Sequence, residues 1–298
     1  MTGKEQEFKF TVAGLTYTIY TKIKGVTLMV NSFFEPFISE NKEVDLRVEV
    51  KNINSNFIQQ QKCLFKAPNP YNKSEMPLWA IYGDEKIRYI LVSDVKGEKF
   101  PVLAAKIDMN NRNWEIYKNI DASEKHLDPL DYPMGILIIY YLTSIENGLM
   151  IHASGVDYQK VGMLFTAFSG TGKSTMANLW LKNGGNVIND DRLIIRKIKD
   201  KYFIYNTPMY YADSPKFVEL KQIFLINQSK ENYIKPINGS IAGSRLMAFC
   251  IQHNYDKVMV KKMIENINSL VKEVGVNELG FVPDKEIVKL IKEKHIGQ

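Results

Sequence analysis

The chain has 298 residues, 45% of them apolar and 24% charged, a balance that excludes a disordered chain and allows one large domain or two of moderate size. Its 39 lysines and arginines against 33 aspartates and glutamates leave a net charge of +6, which suits an anionic ligand and is too small and too dispersed for nucleic acid. Two cysteines, Cys63 and Cys250, have neither metal-ligand spacing nor a disulfide framework and read as buried thiols of a reducing compartment.

The first ten residues lack the apolar stretch of a signal peptide. The longest apolar run, residues 134–142, is half of what a membrane span needs and reads as a buried helix. The sequence therefore predicts a cytoplasmic protein with no membrane partner. Up to about residue 120 the elements are strands. Residues 8–12 and 17–21 are β-rich runs around Ala13-Gly14-Leu15, a short hairpin. Residues 44–50 alternate, with valines and leucine on one face and Asp45, Arg47 and Glu49 on the other. A loop over residues 67–76, carrying Pro68 and Pro70, precedes strand-like runs at 78–82, 87–92, 102–107 and 114–117. The expectation is an antiparallel sheet that closes or covers the other half, within a β-rich region 1–125 of unknown role.

The pattern then changes. Pro133 opens a helix that Asn147-Gly148 stops. Short buried strands at 149–152 and 162–166 lead to a helix over 173–182, ended by Gly184-Gly185. Strands follow at 192–199, 202–205 and 222–226, helices at 240–251 and 257–270, a strand at 278–282 and a terminal helix at 284–294. Region 126–298 thus reads as an α/β domain.

The strongest chemical signal is Ala167-Phe168-Ser169-Gly170-Thr171-Gly172-Lys173-Ser174-Thr175, which follows a strand and opens a helix, the context that gives a GxxxxGK[ST] match its meaning. The first glycine of the pattern is Ala167 here, at a strand end where a methyl group is tolerable. Gly170 and Gly172 let several N–H groups converge on one concavity, and the helix N-terminus adds donors and partial positive charge. In such a loop Lys173 bridges the β- and γ-phosphates and the Ser174 hydroxyl takes a Mg²⁺ position.

Seventeen residues after Lys173 come Asp190 and Asp191, closing the short apolar strand Asn186-Val187-Ile188-Asn189. The carboxyl ends of neighbouring strands in an open α/β sheet face one crevice. One carboxylate can then hold Mg²⁺ while the other accepts a proton from an attacking hydroxyl. His152, in His152-Ala153-Ser154-Gly155, ends an apolar strand 21 residues before Lys173, in the hairpin that leads into the phosphate loop. Trp180 is expected to pack on the sheet rather than on adenine. Arg192 and Arg196 are expected on one side of a strand, and Lys257, Lys261, Lys262 and Lys272 on a solvated helix face.

A histidine before a hairpin, SGTGKST, and an Asp-Asp pair after one helix resemble the C-terminal domain of HPr kinase/phosphorylase, of the PEP carboxykinase-like group of P-loop folds. The segments HASGV, SGTGKST and NDDRLIIRK, then Tyr205-Asn206-Thr207-Pro208, look like the small HPr-kinase-related proteins, some of which phosphorylate a serine of a ribosomally made (lasso) precursor peptide. The resemblance covers residues 130–281, roughly half the chain. It implies an α/β fold with a PEP carboxykinase-like P-loop kinase core in 126–298 and a β-rich N-terminal half. It implies ATP on Ser169, Gly170, Thr171, Gly172, Lys173, Ser174 and Thr175, and Mg²⁺ on Ser174 and Asp191. Asp190 would be the base for the acceptor hydroxyl, with His152 orienting that base or the γ-phosphate. A coupled carboxylate pair is not divided by sequence, so the order of roles within it stays open.

Two departures mark this chain. The glutamate-arginine-glycine signature of the bifunctional enzymes is absent, which argues against HPr as substrate and against a phosphorylase reaction. The Thr-Pro is followed by Met209-Tyr210-Tyr211 where the related proteins have tryptophan and a small residue. What the resemblance implies is an ATP-dependent, Mg²⁺-requiring kinase acting on a hydroxyl, a serine of a peptide or small protein. A small-metabolite kinase and a non-catalytic nucleotide-binding regulator or precursor-binding module stay open as alternatives, and so does a homo-oligomer.

Overall fold

The computed structural model describes residues 6–53, 61–71, 76–94, 96, 99–120, 126–209, 214–252 and 256–296. The chain divides into two compact units, Met1–Leu142 and Thr143–Gln298, later in the chain than the boundary expected near residue 125 and within the first α-helix.

The first unit contains β1 (Gln6–Val12), β2 (Leu15–Thr21), β3 (Thr27–Leu28), β4 (Leu46–Asn52), β5 (Cys63–Ala67), β6 (Trp79–Gly83), β7 (Ile87–Val92), β8 (Leu103–Asp108), β9 (Asn113–Lys118) and β10 (His126–Leu127). Eight of these form one sheet in the order β1-β2-β4-β9-β8-β7-β6-β5, and β3 pairs with β10. Ala13 and Gly14, at φ 53 and 71, make the two-residue turn between β1 and β2. Paired positive φ values give that turn a twist matching its strands.

The sheet is mixed, which corrects the expectation of an antiparallel one: β4 runs parallel to both β2 and β9. Alternation in β4 selects the face that Leu46, Val48 and Val50 bury, but it carries no information about the neighbouring strand. The segments before and after β4 are long enough to return the chain to the same end, as parallel pairing requires. Cys63 is exposed, a second correction. It lies on the edge strand β5, where a register shift follows it. Residues 72–75 of the expected 67–76 loop lie outside the described residues.

Helix α1 (Met134–Ile145) closes at Asn147, φ 59, and the Gly148 N–H bonds the Thr143 carbonyl at 2.8 Å. The second unit continues with β11 (Leu149–His152), β12 (Ser154–Tyr158), β13 (Val161–Thr166), α2 (Lys173–Lys182), β14 (Asn186–Asn189), β15 (Arg192–Ile198), β16 (Lys201–Asn206), β17 (Phe217–Gln228), β18 (Tyr233–Ile237), α3 (Gly239–Met247), α4 (Lys257–Val274), β19 (Val276–Phe281) and α5 (Lys285–His295). Its sheet runs β11-β15-β16-β17-β13-β12-β14, with β19 also on β17 and β18 on β19.

The long strand β17 organises this unit. Its first residues pair antiparallel with β16, and its later ones run parallel to β13 and β19. Side chains alternate across a strand. Ile223 and Leu225 therefore join a core with Ala242 and Leu246 of α3 and Met263, Ile267 and Leu270 of α4. Phe224 and Ile226 face the other way, into a core with Met176 and Trp180 of α2 and Ile287, Val288 and Ile291 of α5. The result is an α/β arrangement with helices on both faces of the sheet. Trp180 is fully buried with its ring centroid 5.3 Å from that of Tyr158, as its spacing suggested. Among the described residues no helix is long and apolar enough to cross a membrane.

Candidate functional site

Three segments of the second unit meet: the loop after β13, the link from β11 to β12, and the turn from β14 to β15. In the first, buried Ala167 ends the strand and Thr171 N–H donates to the Phe168 carbonyl at 3.3 Å. Gly170 and Gly172 sit at φ 77 and 121. A Cβ on Gly172 would lie 2.7 Å from Phe281 Cζ, so the loop can pass there only as glycine. Gly172 offers no side-chain cap to α2, which leaves first-turn N–H groups directed at the loop. Ser169, Gly170, Ser174 and Thr175 are exposed, while Thr171 and Gly172 are half-buried. Phe168, 71% exposed, meets Phe249 edge-on at 5.1 Å.

Lys173 is only 7% exposed and folds over its own loop, donating to the Ala167 carbonyl at 3.0 Å and the Phe168 carbonyl at 3.3 Å. Burial lowers its pKa, and the Asp190 and Asp191 carboxylates pull in the opposite direction. The ammonium therefore senses both aspartates.

The aspartates follow the buried Asn189, whose Oδ1 accepts the Asp191 N–H at 2.9 Å and so shapes the turn. Ala153 N–H donates to the Asp191 carbonyl at 3.1 Å, tying the turn to the β11–β12 link. From that link, Ser154 Oγ donates to Asp190 Oδ1, and His152 Nε2 stands 3.7 Å from Asp191 Oδ1. Main-chain bonds hold His152 in place. Its N–H donates to the Phe249 carbonyl at 2.9 Å, and its carbonyl accepts Thr166 Oγ1 at 2.8 Å. Burial first, then the Lys173 ammonium, lowers the His152 pKa against the pull of Asp191 and so favours the neutral imidazole.

Arg192 Nε is 3.8 Å from Asp191 Oδ2, and its Nη1 approaches Met209 Sδ at 3.2 Å. Thr207 Oγ1 donates to the Arg192 carbonyl at 3.1 Å, so the Thr-Pro segment borders the aspartates. Tyr210 and Tyr211 lie outside the described residues.

Lys173, Asp190, Asp191 and His152 are thus brought within electrostatic reach of one another, beside the glycine loop. Sequence reasoning passed over Ser154, Asn189 and Phe281. Ser154 alone carried a signal, lying two residues from His152 at the start of the next strand. The Ser174 hydroxyl and the aspartate carboxylates are hard oxygen donors of the kind Mg²⁺ takes. That ion needs only one or two protein ligands when phosphate and water supply the rest. The residues present fit it.

No known family's sequence profile and no curated protein sequence matches this chain. Among solved structures, it is similar to the HPr(Ser) kinase/phosphatase from Coxiella burnetii, with a TM-score of 0.28 and 11% identity, over 48% of this chain and 91% of that one. A likeness of that size assigns neither family nor activity.

Proposed function

We propose that the second unit binds ATP with Mg²⁺ and transfers the γ-phosphoryl group to a hydroxyl, a serine of a peptide or small protein. The observation that carries this reading is the meeting of Lys173 with His152, Asp190 and Asp191 at the carboxyl ends of β13 and β14. A phosphate-holding loop alone would serve binding. An adjacent carboxylate pair and a histidine beside it are the additional parts that group transfer uses.

The N–H groups of residues 169–175 hold the phosphates, and Lys173 exchanges its bonds to loop carbonyls for phosphate oxygens. Ser174 and Asp191 would hold Mg²⁺, which would supply charge neutralisation for the transferred group. The acceptor oxygen bonds to the γ-phosphorus as the bond to the β–γ bridging oxygen breaks. ADP departs with that electron pair, and the hydroxyl proton passes to Asp190. His152, with Nε2 3.7 Å from Asp191 Oδ1, orients that pair or the γ-phosphate.

Two variants test this on the full chain. Lys173→Ala is expected to abolish calorimetric ATP binding. Asp190→Asn is expected to keep binding and to lose about 10²–10⁴-fold in transfer of γ-label. Transfer by Asp190→Asn at the wild-type rate would remove the base assignment. If wild type binds ATP and moves no label to any acceptor or to water, the unit is a non-catalytic nucleotide-binding regulator.

A further inference from the structure

We infer that Ser154 is a positioning residue, orienting the Asp190 carboxylate so that one oxygen is held and the other faces the acceptor hydroxyl. This rests on the kinase reading above. Ser154 is fully buried, so its hydroxyl is no phosphate acceptor, and its proton goes to Asp190 Oδ1.

The backbone register places this pair. His152 lies opposite Arg192 where β11 meets β15, and Gly155 lies opposite Asn189 where β12 meets β14. Between those fixed points the two chains run antiparallel in a single register. Ala153 is level with Asp191, to whose carbonyl its N–H donates, and Ser154 is level with Asp190. Directly opposed side chains on antiparallel strands are the ones that touch. The register then shifts by one residue between Gly155 and Val156, which lies opposite Val187. Without that irregularity Ser154 would face Asn189, and Asp190 would have no hydroxyl beside it. The shift is thus what brings a serine to the base.

The chemistry of the donor matters as well. The terminal torsion of an aspartate is broad and roughly two-fold, so an unheld carboxylate spreads its lone pairs over many directions. A hydroxyl on Oδ1 fixes the plane and leaves Oδ2 to accept the incoming proton. A lysine or arginine in the same place would also fix it, but would neutralise the base. A serine orients the carboxylate without adding a second cation to it.

The test uses the full-length wild type, Ser154→Ala, Asp190→Asn and the double variant. The probe is γ-labelled ATP with Mg²⁺ and water as acceptor, read as released phosphate, with ATP affinity taken separately by calorimetry. Ser154→Ala is expected to lower kcat about 10–100-fold, as loss of an orienting hydrogen bond commonly does. Its KM and calorimetric affinity for ATP should stay at wild-type values. The double variant should be no slower than Asp190→Asn alone, because Ser154 would have nothing left to orient. A wild-type kcat in Ser154→Ala, or losses that multiply in the double variant, overturns the assignment. If the wild type itself binds ATP and moves label neither to water nor to any acceptor, the kinase reading falls and the positioning role falls with it. If the wild type turns over and Ser154→Ala keeps pace, the positioning role alone falls.

Discussion

Gly172 is the residue on which the loop between β13 and α2 turns. Its φ of 121 is unfavourable for any side chain, and Phe281 fills the space a Cβ would occupy. Gly170, also at positive φ, has nothing within 4 Å of its would-be Cβ. Gly172→Ala is therefore expected to cost about 1–3 kcal/mol by urea unfolding and to weaken ATP binding. Gly170→Ala should cost less, since it carries backbone strain without a clash. Equal costs would mean that Phe281 yields freely. The cysteines are equally separable. Burial pushes the Cys250 thiol up to about 12, so at pH 8 it stays protonated and unreactive, whereas Cys63 is exposed. A thiol reagent at pH 8 should titrate one of the two cysteines in the native protein and both after denaturation. Reaction of both at one rate in the native protein would contradict the burial. Neither the exposure of Cys63 nor the hydrogen bond of Ser154 to Asp190 was legible in the sequence. Both depend on strand neighbours, and the partner of Ser154 lies 36 residues away.

Elements whose cause is local were the legible ones. Helix α4 buries Met259, Met263, Ile267 and Leu270, a stripe at helical spacing, and opens on Asp256, whose carboxylate accepts the Val258 and Met259 N–H groups. Asp256→Ala should lower stability by about 0.5–2 kcal/mol by urea unfolding, through loss of that cap. A change within error would mean that water replaces the carboxylate at no cost. The strand–loop–helix around Gly170, Gly172 and Lys173 was legible for the same reason, since glycines, lysine and helix start are contiguous. Strand β18 was not. Pro236 and the polar residues around it hide a strand that, among the described residues, pairs with β19 alone, at an edge where a missing N–H is tolerated. The parallel neighbours of β4 were hidden differently, because period-two alternation fixes a face and leaves the partner open.

For the whole molecule, the parallel pairing of β13 with β17 leads us to expect an order of events in folding. Gly162–Thr166 must find Leu220–Leu225 before the end of β13, where the glycine loop begins, has its final support. The hairpins β12–β13 and β15–β16 close across only a few residues and form sooner. ATP should then act as a ligand of the finished state alone. At a free concentration of 100 Kd it would add about 2.7 kcal/mol of stability. A ligand that finds no site in the transition state slows unfolding and leaves refolding unchanged. Stopped-flow unfolding of the full chain should therefore slow with added ATP while the refolding rate stays flat. A refolding rate that climbs with ATP would mean that the loop is already shaped when the barrier is crossed. The long central strand that supports the site would in that case form early, and the nucleotide would take part in building the fold it occupies.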